Sequence, residues 1–293
     1  MQHIAKQLSP AELHITSSNL LVFTDLDGTL LDHDSYSLEA ALPSLNQLKL
    51  LDIPVIFNTS KTFMEVLEIQ KKLSMEQPFA VENGSAICIP LNSPLLIEGM
   101  DSLSVGKRHW KIKIFGPSYP DICQYLSVLR QKHHFRFQGF NDMNVEEVQL
   151  HTGLAKYDAQ LAKQRMASEP VVWNDSQENL SIFIKKLEDH NLEVVQGGRF
   201  LHIKARFDKA DAMMWLNQVY QSNFQHDFIN LALGDSDNDR TMLEKADVSV
   251  VIPRKHSAAL FIDHPHCTLA PHSGPHGWNQ VVQQVLQSFL NGA

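Results

Sequence analysis

Two aspartates one residue apart, Asp25 and Asp27, follow an apolar run in "LLVFTDLDGTLLDHD", residues 20–34. In an extended chain residues i and i+2 point to the same side, so both carboxylates flank one point. Like charges that close repel and raise one another's pKa, so the pair needs a compensating partner or a job. Gly28 permits a tight departure from the strand, and Thr29 completes Asp-x-Asp-Gly-Thr. A lone Asp-Gly turn is common, whereas this stretch after a buried strand is not.

Three further polar clusters sit where an apolar run gives way to a helix. Asn58-Thr59-Ser60-Lys61 is the first. The N–H groups and field of a helix start suit a phosphate there, although plain N-capping by Thr or Ser gives the same pattern. Lys209 opens a later helix, where a cation opposes the dipole and points to an anionic neighbour. "GDSDNDRTML", residues 234–243, is the third. Its spaced aspartates resemble the start of an EF-hand, but Arg240 and Ala246 stand where that loop requires Gly and Glu. A carboxylate cluster from Asp235, Asp237 and Asp239 that joins Asp25 and Asp27 around one Mg²⁺ survives, since Mg²⁺ takes a few carboxylates plus water and phosphate oxygen. The histidines of "HPHCTLAPHSGPHGW" match no helical or finger spacing, and Met213-Met214 fits core filling.

These clusters need a scaffold that brings strand ends together. Residues 20–90 alternate strand and helix, and the same rhythm returns after residue 200. Short, continuously apolar strands separated by helices predict a doubly wound α/β fold with a Rossmann-like parallel sheet. Ligands in such sheets bind outside the carboxyl ends of the strands. Between the halves, "KIKIFG", "RFQGF", "EPVVWND" and "EVVQGG" alternate with helical stretches in a different rhythm. The expected division is a discontinuous core, residues 1–87 and 201–293, with an α+β unit inserted at 88–200.

Composition narrows the classes of function. A chain of 293 residues can bury a full core and form two domains, and 43% apolar with 20% charged residues is ordinary for a globular protein. The net charge is −8 and no Lys/Arg block stands out, which argues against nucleic acid or a membrane as partner. An anionic substrate must therefore be held by local groups. Cys88, Cys123 and Cys267 are scattered and odd in number, as expected of a reduced compartment. The amino terminus lacks the pattern of a signal peptide and no apolar run approaches the ~18 residues of a membrane span, so a cytoplasmic protein is expected.

Taken in order, Asp25-x-Asp27-Gly28-Thr29, Thr59, Lys209 and Gly234-Asp235-x-x-Asn238-Asp239 resemble the four motifs of the haloacid dehalogenase-like phosphatase superfamily. The long insertion resembles its C2-type cap, and "VENGSAI" looks like the strand that precedes such caps. "NTSKT", "GLAKYDAQLAKQRMASEP", "GGRFLH" and "GPHGWN" are similar to the mannosyl-3-phosphoglycerate phosphatases across nearly the whole chain from residue 20. That family tends to carry Glu and an aromatic where Met166 and Ala167 stand, and Glu in place of His276. The resemblance implies Mg²⁺-dependent hydrolysis of a small phosphorylated sugar or sugar–glycerate through an aspartyl-phosphate. Mannosyl-3-phosphoglycerate, giving mannosylglycerate, is the implied substrate; the glucosyl ester or a broader set of sugar phosphates is the alternative. Asp25 is then the nucleophile and Asp27 the acid and base, its carbonyl a metal ligand. Thr59, or Ser60 if the register slips, holds the phosphoryl group with Lys209, and Asp235 and Asp239 complete or support the metal site. Lys61, Arg165, Ser168, Glu169, Arg199 and Asn238 are the implied substrate contacts. A phospho-receiver module shares Asp, a hydroxyl, Lys and Mg²⁺, but it lacks a large insertion and keeps its acyl phosphate. A phosphohexomutase is chemically nearer and differs in needing a sugar bisphosphate activator.

Overall fold

The computed structural model describes residues 15–197, 200–255 and 258–290. Most of the segment read for a signal peptide, and Arg199, lie outside the described residues. The chain begins with β1 (Leu20–Thr24), α1 (Leu42–Leu50), β2 (Val55–Asn58), α2 (Phe63–Lys72) and β3 (Phe79–Val81). Three further strands, β4 (Ala86–Pro90), β5 (Asp101–Val105) and β6 (Arg108–Ile114), follow. Next come α3 (Tyr119–His133), β7 (Phe137–Gly139), α4 (Val145–Thr152), α5 (Lys156–Ala162) and β8 (Ser168–Trp173). They lead to α6 (Gln177–Glu188), β9 (Leu192–Gly197) and β10 (Phe200–Ala205). The last section holds α7 (Lys209–Phe224), β11 (Ile229–Gly234), α8 (Arg240–Lys245), β12 (Val248–Val251), β13 (Cys267–Leu269) and α9 (Gly274–Leu290).

A nine-stranded sheet has the order β13-β12-β11-β1-β2-β3-β4-β6-β5. It is parallel from β13 to β3 and antiparallel beyond. Every residue of β1, β2 and β3 is buried, as strands covered on both faces must be. Leu45, Leu48, Val66, Trp278 and Val282 of α1, α2 and α9 cover one face. Met213, Leu216 and Met242 of α7 and α8 cover the other. The doubly wound expectation holds. Because β1 lies between β2 and β11, the strand order reverses there, and a crevice opens at the carboxyl ends of β1 and β11.

A second sheet, β7-β8-β10-β9, is antiparallel throughout. Ile122, Leu126, Phe183 and Leu187 of α3 and α6 pack on one face, and Val148 and Ala159 of α4 and α5 on the other. Both limits drawn from the sequence, 88 and 200, fall at strands: Cys88 lies inside β4 and Phe200 opens β10. β4 is buried at every residue between β3 and β6, so it extends the large sheet, and β10 belongs to the small one. The chain leaves the large sheet after Ile114 and comes back to the core at Lys209. No helix among the described residues is long and apolar enough to cross a membrane.

Candidate active site

Asp25 directly follows β1, where its N–H donates to the Leu233 carbonyl (2.9 Å). Behind it the Trp278 indole donates to the Thr24 hydroxyl (3.0 Å), which donates to the Asp25 carbonyl (2.7 Å). The strand end is thus fixed from the core outward. Gly28 then turns the chain with φ +80°. A Cβ there would stand 2.7 Å from Asp235 Oδ2, so both the backbone and the space require glycine. Gly28→Ala is expected to cost about 1–3 kcal/mol in urea unfolding; a parent-like midpoint would mean that Asp235 moves aside freely.

Lys209 is the first residue of α7 and wholly buried. Asp208 caps that helix in a reciprocal box with Asp211, and the Asn58 amide donates to the Lys209 carbonyl (2.8 Å). Its ammonium donates to Asp25 Oδ1 (2.7 Å) and Asp239 Oδ1 (2.6 Å). Burial alone would lower the Lys209 pKa, but Asp239 and Asp25 together raise it, so the ammonium stays charged. Asp239 Oδ2 accepts the N–H groups of Asp235 (3.0 Å) and Ser236 (3.1 Å), which fixes the 3₁₀ turn Asp237–Asp239 after β11. Asp235 Oδ2 accepts from Arg254 Nε (2.8 Å) and its Oδ1 from the Ser236 hydroxyl (3.0 Å).

Burial raises the Asp25 carboxyl well above the usual carboxylate range; Lys209 opposes this, and Asp239, Asp235 and Asp27 add to it. Burial also raises Asp235, with Asp239 reinforcing and Arg254 opposing. One lysine shared by two carboxylates does not neutralise the pocket. Oxygens of Asp25, Asp235 and Asp239 lie within 4.8 Å of one another, and all three side chains are buried. A hard divalent cation with oxygen ligands suits this donor set and would supply the missing positive charge.

Asp27 differs from its neighbour. Its side chain is 34% exposed against 5% for Asp25, and Lys61 Nζ lies 2.9 Å from Asp27 Oδ1. Lys61 is itself half-buried, its ammonium 5.2 Å from the centroid of the Tyr36 ring, with Glu65 3.7 Å away. Asp27 and Glu65 hold its ammonium charged against the cost of burial. Thr59 is fully buried between these groups, and its hydroxyl oxygen accepts the Lys61 N–H (3.2 Å). The Asn238 amide donates to Asn83 Oδ1 (3.1 Å), which ties the β11 loop to the turn after β3.

The crevice therefore gathers Asp25, Asp27, Thr59, Lys61, Lys209, Asp235, Asn238 and Asp239. Other expected contacts lie elsewhere. The Ser60 carbonyl, Arg165 and Ser168 join a cluster around the buried Glu82. Glu169 accepts the Tyr119 hydroxyl (2.9 Å) and the Asn141 N–H (2.8 Å) beside α3, where burial pushes its carboxyl up to about 7. Reading the sequence missed Glu82 and Arg254. Both follow apolar runs, "PFAVENG" and "VSVVIPR", so the strand-end argument used for Asp25 finds them too.

A family model described as haloacid dehalogenase-like hydrolase matches residues 22–260. A glucosyl-3-phosphoglycerate/mannosyl-3-phosphoglycerate phosphatase from Persephonella marina is 34% identical over 278 residues, covering 93% of this chain and 99% of that protein. A protein of the same name from Methanococcoides burtonii is 36% identical over 269 residues, covering 91% and 97%. Among solved structures, a haloacid dehalogenase-like hydrolase from B. subtilis aligns with TM-score 0.60 and 19% identity over 90% of this chain and 99% of that one. A phosphatase of the same superfamily from Bacteroides thetaiotaomicron aligns with TM-score 0.58 and 14% identity over 99% of each chain. These structures share the fold. The chain belongs to the haloacid dehalogenase-like hydrolase family. Its resemblance to that family and the expectation of a phosphatase are both borne out.

Proposed function

We propose that this chain is a Mg²⁺-dependent phosphomonoester hydrolase acting on glycosyl-3-phosphoglycerates through an aspartyl-phosphate at Asp25. The observation that carries the chemistry is the unequal carboxylate pair: Asp25 is buried on Lys209, and Asp27, one residue on, is open to the crevice. A buried anion held by one lysine suits a nucleophile, and a reachable carboxyl suits a proton carrier.

In the first step Asp25 attacks phosphorus, the bond to the ester oxygen breaks, and Asp27 gives that oxygen a proton. In the second, Asp27 takes a proton from water, which attacks the acyl phosphate, releases inorganic phosphate and restores Asp25. Lys209 opposes the burial that raises the Asp25 carboxyl and faces the charge on the phosphoryl oxygens. Thr59 accepts from Lys61 N, so its own proton is available for a phosphoryl oxygen. The carboxylates of Asp25 and Asp235 and the Asp27 carbonyl would hold Mg²⁺. Asp239 supports them: it accepts from Lys209 and from the Asp235 and Ser236 N–H groups, which ties Lys209 to the loop that carries Asp235. The cation, when bound, neutralises phosphoryl charge.

The names of both relatives support the substrate class and include both sugars. The mannosyl ester follows from the sequence resemblance and the glucosyl ester is its alternative. Substrate choice belongs to the inserted unit, which we place between Ile114 and Lys209, where the second sheet and its helices lie. Phosphate release from the two esters and from a few hexose phosphates, with Mg²⁺ and after thorough chelation, tests the reading. Expected is metal-dependent release that favours the phosphoglycerate esters and needs no sugar bisphosphate. Equal, weak rates on all esters would discard the named substrates, and a bisphosphate requirement would indicate a mutase.

A further inference from the structure

Glu82 takes no part in the chemistry above, yet it is wholly buried and makes contacts between the two units. It stands just past β3 in a turn where Glu82, Asn83 and Gly84 have φ of +54°, +59° and +88°. The backbone of this turn is bound to the loop that carries Thr59. Glu82 N donates to the Lys61 carbonyl (3.0 Å), and Asn83 N to the Thr59 carbonyl (2.9 Å). The side chain leaves the core altogether. Its Oε1 accepts the Met166 N–H (2.7 Å), and its Oε2 accepts the Ala167 N–H (3.1 Å) and the Ser168 hydroxyl (2.7 Å). Arg165 Nε lies 3.5 Å away, and the same guanidinium donates to the Ser60 carbonyl (3.4 Å).

A buried carboxylate is tolerated only where donors fill its lone pairs. Here the donors belong to the segment that opens β8 in the inserted unit, 84 to 86 residues away in sequence. Two more contacts follow the same line. The Thr62 hydroxyl at the start of α2 donates to the Leu161 carbonyl (3.0 Å) in α5, and Met166 packs on the core's apolar cluster. Each unit otherwise has its own core, and this polar set joins them, as does the approach of β9 to the 3₁₀ turn Asp237–Asp239. If the units part, Glu82 gives up all three of these donors and needs water in their place. Such a contact can open and close.

We propose that Glu82 is a positioning residue: it seats Arg165–Ser168 on the Thr59–Lys61 loop and so closes the inserted unit over the ester. The substrate half of this rests on the phosphatase reading, whereas the seating itself does not. Arg165 and Ser168 then belong to the closure instead of the sugar.

The test uses Glu82→Gln, Ser168→Ala and the double variant. Amide hydrogen exchange is followed over residues 156–168 without substrate, and kcat and KM are measured for the glycosyl phosphoglycerate and for p-nitrophenyl phosphate. Glu82→Gln is expected to speed exchange at Met166 and Ala167 by about tenfold or more, the loss of charge-assisted bonds. KM for the large ester should rise by about tenfold, with that for the small aryl ester within about twofold. The double variant should exchange no faster than Glu82→Gln, as residues of one network do. Parent-like exchange in a folded Glu82→Gln protein, or equal KM changes for both esters, overturns the proposal. Should that variant fail to fold, Ser168→Ala decides: about threefold faster local exchange supports the seat and no change refutes it. If the parent hydrolyses no ester, the phosphatase reading falls and the exchange result still judges Glu82.

Discussion

Asp25→Asn is expected to lower phosphate release by at least about 10⁴-fold, the scale seen when a nucleophile is removed, and to leave the protein at least as stable as its parent. The two halves have one cause. Asparagine keeps the shape and can accept from Lys209, but it cannot form an acyl phosphate. It also removes a carboxylate whose pKa is raised by burial and by Asp239, Asp235 and Asp27, against the pull of Lys209. A group whose folded pKa lies above its unfolded value contributes stability at low pH that is lost as pH rises through the folded value. In chelator, the parent should therefore lose stability relative to the variant as pH rises from about 5 to about 8. Mg²⁺ should raise the parent's melting temperature more than the variant's, because the cation removes that penalty. Thermal unfolding with chelator and with Mg²⁺ at both pH values, beside phosphate release, reads all of this. Full turnover by the variant would move the nucleophile elsewhere, and identical pH profiles would mean that Asp25 is already neutralised in the parent.

The parts of this site that were legible in the sequence share one property: each is a short-range pattern. Asp25, Thr59 and Asp235 stand at the ends of apolar runs and before helices, and the topology of an open parallel sheet brings such ends together. Glu82 stands at the end of an equally clear run, but its partners lie far along the chain and nothing local announces them. The resemblance implies Lys61 as a substrate contact, and its ion-pair partner Asp27 comes from another strand end. The resemblance implies Arg165 and Ser168 as substrate contacts, and in the structure both face Glu82.

The limits of the inserted unit show the same thing at the scale of elements. Periodicity identifies a strand but not the sheet that it joins. A unit that begins at residue 88 cuts through β4, which pairs with β3, and takes in β6, which pairs with β4 in the large sheet. The polar edge strand β5 has an exposed pattern with no apolar run to find. In β10, His202 and Lys204 suggest a half-exposed strand, but both are buried. Lys204 is satisfied by Glu193 (2.8 Å) and by the Ala205 (2.8 Å) and Phe207 (2.9 Å) carbonyls where the chain returns to the core.

Lys209→Met carries the largest expected cost in stability. The ammonium is wholly buried between two carboxylates, at 2.7 Å from Asp25 and 2.6 Å from Asp239. Methionine fills much of the stem's volume, so the loss is electrostatic and not a cavity. Removing one partner of a buried ion pair leaves uncompensated charge and costs about 3–5 kcal/mol. Taking a cation out of the first turn of α7 relieves an unfavourable dipole contact, but that returns only about 0.3–1 kcal/mol. The loss of pairing wins. The sign with pH follows from Asp25, whose folded pKa is already raised and rises further without its lysine. The deficit in urea unfolding should therefore grow from about pH 5 to about pH 8 in chelator, since the penalty falls on the ionised form. Mg²⁺ should restore part of it if the carboxylates bind the cation, and Asp239→Asn in the same chain should restore part by removing the second charge. A deficit below about 1 kcal/mol at the higher pH would mean that the pair contributes no more than a surface contact. In that case Lys209 is retained for the phosphoryl group alone, and the loss of turnover in Lys209→Met should appear without any change in unfolding.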